Sequence, residues 1–258
     1  MLRDRGRSRS SAAPAETGVG ARARPALAYP RPVLLDADAE NEVAYRLCQI
    51  LGRAILPVDG PAGSGTAFLF DAGPAGEHLL TADALTHAPA GEIVLRGSVT
   101  EPTGVAGHAV DLADLAPAWA HRPDIGAAIL PMAVLHEHAR ERGWRWRTQH
   151  VTEGLAAGAD RIARLGPQPS SAFVLAHGVR EDPATRRPLE LAIERVVRDG
   201  DAVRLDAELP DGYVGAPVFA VDTDLDGDLE VHCLGLVLPG DGGHLLATFD
   251  RIRAALPG

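Results

Sequence analysis

Lysine is absent from the chain: all 25 basic residues are arginine. With its abundant Ala, Gly and Pro, this points to a GC-rich, bacterial genome and says nothing about chemistry. Aromatic residues make up only 4%, so the core has to be built from Leu, Val, Ala and Ile. Two cysteines, Cys48 and Cys233, make no disulfide framework and sit in no metal-ligand spacing, which predicts free thiols and a cytoplasmic protein. No run approaches the length of a membrane span, and no apolar h-region follows the N-terminal arginines. A P-loop and a dinucleotide fingerprint are also missing. No serine occurs beyond Ser171.

What is present is 258 residues that are 46% hydrophobic, enough for one large domain or two small ones. Gly 28 and Pro 20 favour many turns over long helices. The net charge of −10 is uneven: residues 1–35 hold seven Arg against Asp4 and Glu16. The acidic remainder argues against nucleic acid as a partner. Residues 1–35 lack periodicity and are expected to be a disordered tail; a basic arm for an acidic partner is the alternative.

The stretch Asp38 to Arg53 places Val43, Leu47, Ile50 and Leu51 at helical spacing. After it come short apolar runs broken by Gly, Pro and Asp: 66–70, 92–96, 173–179, 189–197, 202–209, 216–222 and 229–238. Strand-like lengths at this spacing are the pattern of an all-β sandwich or barrel. Met132 to Arg142 reads as a short charged helix or connector, and Thr248 to Leu256 as a terminal helix.

Three motifs carry chemistry. The first is Gly63-Ser64-Gly65-Thr66-Ala67-Phe68-Leu69 with Leu79-Leu80-Thr81-Ala82-Asp83-Ala84-Leu85. The second is Asp124-Ile125-Gly126-Ala127-Ala128-Ile129-Leu130, and the third is Gly212-Tyr213-Val214-Gly215-Ala216-Pro217-Val218-Phe219, followed by the strand His232 to Val237. In order and spacing, over residues 40–258, they resemble the trypsin-like serine peptidases. The resemblance implies two antiparallel β-barrels with an N-terminal and a C-terminal helix. It divides the chain into a tail (1–35), a helix with the first barrel (36–146) and a second barrel with a helix (147–258). It also implies an early strand of the second barrel at Ala159 to Pro169 and a linker position between the barrels for Trp144-Arg145-Trp146-Arg147.

The same resemblance sets Ala84 where the family has its histidine, Asp124 at its aspartate and Val214 at its serine. Valine has no nucleophilic atom and alanine accepts no proton, so two of three triad functions are missing. The expectation is a pseudoprotease, not an enzyme, without cofactor or metal, acting as a protein- or peptide-binding, scaffolding or regulatory module. A divergent serine-type hydrolase with a misaligned site is the alternative.

No neighbour replaces the lost groups on this reading. His87 lies about a turn beyond Ala84, Asp83 is a turn or cap residue pointing elsewhere, and Cys233 is a buried, inert thiol. The backbone N–H groups of Gly212 and Val214 are candidates for a surviving anion-binding hole, with Gly215 framing it. Trp144 and Trp146 are a candidate partner-binding patch, against a plainer reading as packed indoles. His136, Glu137, His138 and Glu141 are expected to be a solvated helix face. Asp222 to Asp228 is expected to be an acidic hairpin turn, with a weak calcium loop as the alternative.

Overall fold

The computed structural model describes residues 31–61, 63–88, 90–104, 109–177, 188–223, 228–240 and 243–256. Most of the basic tail (1–30) and the centre of the candidate calcium loop (224–227) lie outside the described residues.

The first half contains β1 (Arg31–Pro32), α1 (Ala37–Leu51), β2 (Ile55–Gly60), β3 (Gly63–Asp71), β4 (Glu77–Ala82), β5 (Glu92–Val94), β6 (Thr100–Glu101) and β7 (Ala109–Asp111). It continues through α2 (Leu112–Leu115), β8 (Ala120–Arg122), β9 (Ala127–Pro131), α3 (Met132–Glu141), β10 (Arg145–Trp146) and β11 (Val151–Thr152). The second half runs α4 (Ala159–Arg164), β12 (Ser170–His177), β13 (Leu189–Asp199), β14 (Ala202–Leu205), β15 (Pro217–Thr223), β16 (Leu229–Val237), β17 (His244–Thr248) and α5 (Phe249–Ala255).

The strands form the two-barrel, all-β architecture that the motif order predicts. One half is an open, half-barrel sheet in the order β7-β5-β2-β3-β4-β9-β8. The other closes: β15-β12-β13-β14-β17-β16 returns to its start because β16 pairs with β15. Closure removes the free strand edges of that half.

The central strands read as unbroken apolar runs because both of their faces are covered. In β3, Ala67, Phe68, Leu69 and Phe70 are all fully buried. Alternation puts Phe68 and Phe70 on one face, where they meet Phe249 of α5 at ring-centroid distances of 6.2 and 4.8 Å. Helix α5 also packs on β16 and β17, so it ties the closed barrel to the open sheet.

Helix α1 starts at Asp36, whose Oδ1 accepts the Ala39 N–H at 2.9 Å. Its buried face carries Val43, Leu47 and Leu51. It rests on β12 and β13 of the closed barrel, not on the half that follows it in sequence. Glu40 fixes it there, accepting from Ser171 Oγ at 2.6 Å and Arg195 Nη1 at 2.7 Å. Conversely, β11 pairs in parallel with β3 of the first sheet.

One expectation is corrected. Ala159 to Pro169 does not supply a strand; its first part is the helix α4. Asp160 in its first turn and Arg161 and Arg164 in its last complement the helix dipole, while Ile162 and Leu165 turn inward. The Trp-Arg segment, placed between the barrels, carries a short strand of its own. Its Arg145 and Trp146 form β10, paired with Glu101 and Thr100 of β6.

Candidate functional site

Strand β4 ends at Ala82 and the chain makes one 3-10 turn, Asp83–Leu85, which leaves Ala84 exposed. From the other barrel comes a second 3-10 turn, Asp211–Tyr213, followed by Val214 and Gly215. Strand β3 joins the two. Thr66 N–H donates to Val214 O at 2.8 Å, Thr66 Oγ1 to Gly212 O at 2.8 Å, and Thr81 Oγ1 to Thr66 O at 2.7 Å.

The approach is close enough to need glycine twice. A Cβ on Gly65 would lie 2.2 Å from Leu85 Cδ1 and 2.9 Å from Val214 O. Gly215 has φ +84°, and its Cβ would meet Thr66 O at 2.1 Å and Thr81 Oγ1 at 2.5 Å. The sequence motifs around Ala84 and Val214 therefore do meet at one junction between the barrels.

The second motif reaches this junction through its glycine. Asp124 is exposed in the β8–β9 turn, in a surface depression with Arg122, Ile125 and Arg251. Antiparallel register pairs Ala82 with Ala127, and the Asp83 N–H donates to Gly126 O at 2.9 Å. Gly126, with φ +71°, thus stands opposite the turn, two residues after Asp124.

Of the two amides expected to form an anion-binding hole, that of Val214 is committed elsewhere. The Val214 N–H donates to Asp211 O at 2.9 Å, closing the 3-10 turn. The next two amides are committed as well, Gly215 to Val237 O at 2.8 Å and Ala216 to Tyr213 O at 3.0 Å. Gly212 and Val214 are both buried. A developing oxyanion needs donors aimed at open space.

What the junction does gather is a cluster the sequence reading placed elsewhere. The Asp83 side chain is 9% exposed, and its Oδ1 lies 2.6 Å from His121 Nδ1. Its Oδ2 lies 3.3 Å from Nδ1 of the exposed His87. Asp83 is therefore no simple cap, and His87, one turn on, does reach a functional group. His121, on β8, drew no attention in the sequence because nothing local marks it as a neighbour of the turn.

The chain is similar to a serine protease from a human pathogenic astrovirus at 18% identity and TM-score 0.42, over 76% of this chain and 91% of that one. It is similar to an inactive mutant protease from M. tuberculosis H37Rv at 13% identity and TM-score 0.46, over 88% and 95%. A serine endoprotease from Yersinia pestis matches at 9% identity and TM-score 0.47, over 82% of this chain and 64% of that one. No protein-family model and no curated protein matches the sequence. At such identities and scores the likeness carries nothing about activity or site residues.

The remaining candidates resolve into structural roles. Trp144 and Trp146 are buried and stack edge-on at 5.0 Å, and Trp146 Nε1–H donates to Leu135 O at 2.9 Å. They are packed under α3, while Arg145 is paired on the surface with Glu101 at 2.7 Å. On the outer face of α3, His136 meets Glu77 at 3.2 Å and Glu137 pairs with Arg140.

Cys233 is fully buried, and burial pushes its thiol far above the usual range. Burial raises the Cys48 thiol as well. Neither presents a thiolate. Asp222 is buried against Arg161 at 3.1 Å, and Thr223 pairs with Leu229, so the acidic segment connects two hairpin strands. No described helix is long and apolar enough to cross a membrane.

Proposed function

We propose that this chain is a non-catalytic module on a trypsin-like protease framework, which holds a protein or peptide at the junction between its two halves. The observation that carries the reading is the Val214 loop. Its side chain at residue 214 is aliphatic, the exposed residue 84 is alanine, and the Val214 N–H is bonded to Asp211 O at 2.9 Å. Acyl transfer needs a nucleophile and a base, and these two side chains supply neither.

An extended segment laid along the open sheet is recognised through backbone groups and needs no chemistry from the side chains. Binding of a displayed peptide library to the immobilised chain, compared with Ala84→Arg, tests this. A loss of more than about tenfold in affinity for the variant is expected, equivalent to about 1.4 kcal/mol. Undiminished binding moves the contact surface elsewhere, and turnover of casein or of the library sinks the proposal.

One observation favours a second reading as a divergent hydrolase: the Asp83–His121 pair is a carboxylate-oriented imidazole, half of what a hydrolase needs. Its mark is labelling by an activated serine or cysteine probe that is lost in His121→Ala.

A further inference from the structure

The geometry points to Asp83, His87 and His121 as a binding site for one divalent transition cation of the zinc class. The one donor atom that each residue offers lies within 4.8 Å of the other two, and this is the only such group of three among the described residues. Two pieces of chain build it: the segment after β4, which carries Asp83 and His87, and the strand β8, which carries His121.

The carboxylate is the anchor. Asp83 is buried, its N–H is held by Gly126 O at 2.9 Å, and its carbonyl accepts the Thr86 N–H at 3.2 Å. The two oxygens face different imidazoles, and in each case it is Nδ1 that meets them, at 2.6 Å for His121 and 3.3 Å for His87. The rings lie with centroids 4.9 Å apart and planes at 68°, which leaves both Nδ1 atoms turned toward the same oxygen pair.

In a tetrahedral zinc site with bonds of about 2.0–2.1 Å, neighbouring donor atoms are about 3.3 Å apart. Here His87 Nδ1 lies 3.3 Å from Oδ2 and His121 Nδ1 2.6 Å from Oδ1, and the three donors lie within 4.8 Å of one another, so binding requires both rings to shift onto a common centre. Each ligating Nδ1 then presents its lone pair to the metal, with the ring proton on Nε2.

Two imidazoles and one carboxylate select zinc, cobalt or nickel over calcium and magnesium, which take oxygen donors. Three protein ligands leave a fourth position, and it opens to solvent because His87 and Ala84 are exposed. A cation here would lock β8 to the turn that carries Ala84. It stands independently of the peptide-binding reading, since it requires only the three ligands.

Tag-free protein, stripped with a chelator, would be titrated with Zn2+ in a calorimeter and with Co2+ by visible absorption. One equivalent of Zn2+ and the intense visible bands of low-coordinate Co2+ are expected. His87→Ala, at an exposed position that leaves folding intact, should weaken binding by more than about tenfold, and Asp83→Asn and His121→Ala should abolish the Co2+ bands. Absence of stoichiometric binding by the unmodified chain overturns the assignment and leaves a carboxylate held by two hydrogen-bonding imidazoles. Binding of unchanged affinity in His87→Ala overturns it equally.

Discussion

Val214 bears on the proposed function in two ways. Its isopropyl group offers no nucleophilic atom, and its backbone amide closes the turn onto Asp211 O. Restoring a hydroxyl therefore restores too little. Val214→Ser is expected to remain unreactive toward a fluorophosphonate probe, checked by mass spectrometry, because no base at residue 84 accompanies the new hydroxyl. One residue on, Gly215 is constrained by both torsion and space, with φ +84° and Thr66 O only 2.1 Å from a would-be Cβ. Gly215→Ala should cost about 3 kcal/mol by urea unfolding, since the carbonyl it strikes belongs to the buried strand β3. Unchanged stability would mean that the two turns are not docked as described.

Among the elements, α1 and α3 show how a helix is attached without a strand's ladder. Helix α1 leans on the closed barrel through its apolar face and through Glu40, which gathers Ser171 and Arg195. Glu40→Ala leaves a buried hydroxyl and a guanidinium without that acceptor. It should cost about 1–3 kcal/mol, with faster amide exchange confined first to residues 37–51. Helix α3 is held by the stacked indoles beneath it. Trp146→Ala removes a buried ring and its bond to Leu135 O, and a loss of about 3–5 kcal/mol is expected in denaturant unfolding. A loss below about 1 kcal/mol would instead favour a surface role for this tryptophan. Periodicity alone locates α1, α3 and α5, because each buries one apolar stripe. It also carried enough information for α4, where Asp160, Arg161 and Arg164 have the charge order of a helix. The strand expected there came from the resemblance and not from those residues.

For the whole molecule, three histidines set an acid limit. Burial, the largest cause in each case, lowers the affinity of His78, His138 and His232 for a proton; Arg142 adds to this at His138, and Arg161 at His232. Below about pH 6.5, near the ordinary histidine value, the unfolded chain binds protons that the folded chain refuses. Stability is therefore full above that pH and falls as pH drops from there toward the folded-state values. A lower urea midpoint at pH 5.5 than at pH 7.5 is expected, with a shallower dependence in His78→Leu. A midpoint that rises on acidification would contradict this assignment.

The linear chain determined the identity of most of its own elements. Alternating and continuous apolar runs give strands because a buried pleated surface needs them, and a Val or Ala at a motif position carries no nucleophile or base in any fold. Gly65 and Gly215 were visible in the motifs, although only the contacts with Leu85, Thr66 and Thr81 explain why each lacks a side chain. Tertiary structure decided the rest. Register put Gly126, and not Asp124, opposite the turn after β4. The closing of the Asp211–Tyr213 turn withdrew the Val214 amide, a matter of a few torsions that composition does not record. His121 joined Asp83 across 38 positions of sequence because β8 and β4 both flank β9. Contacts of that range depend on strand pairing, and no local pattern of residues encodes which strands will meet.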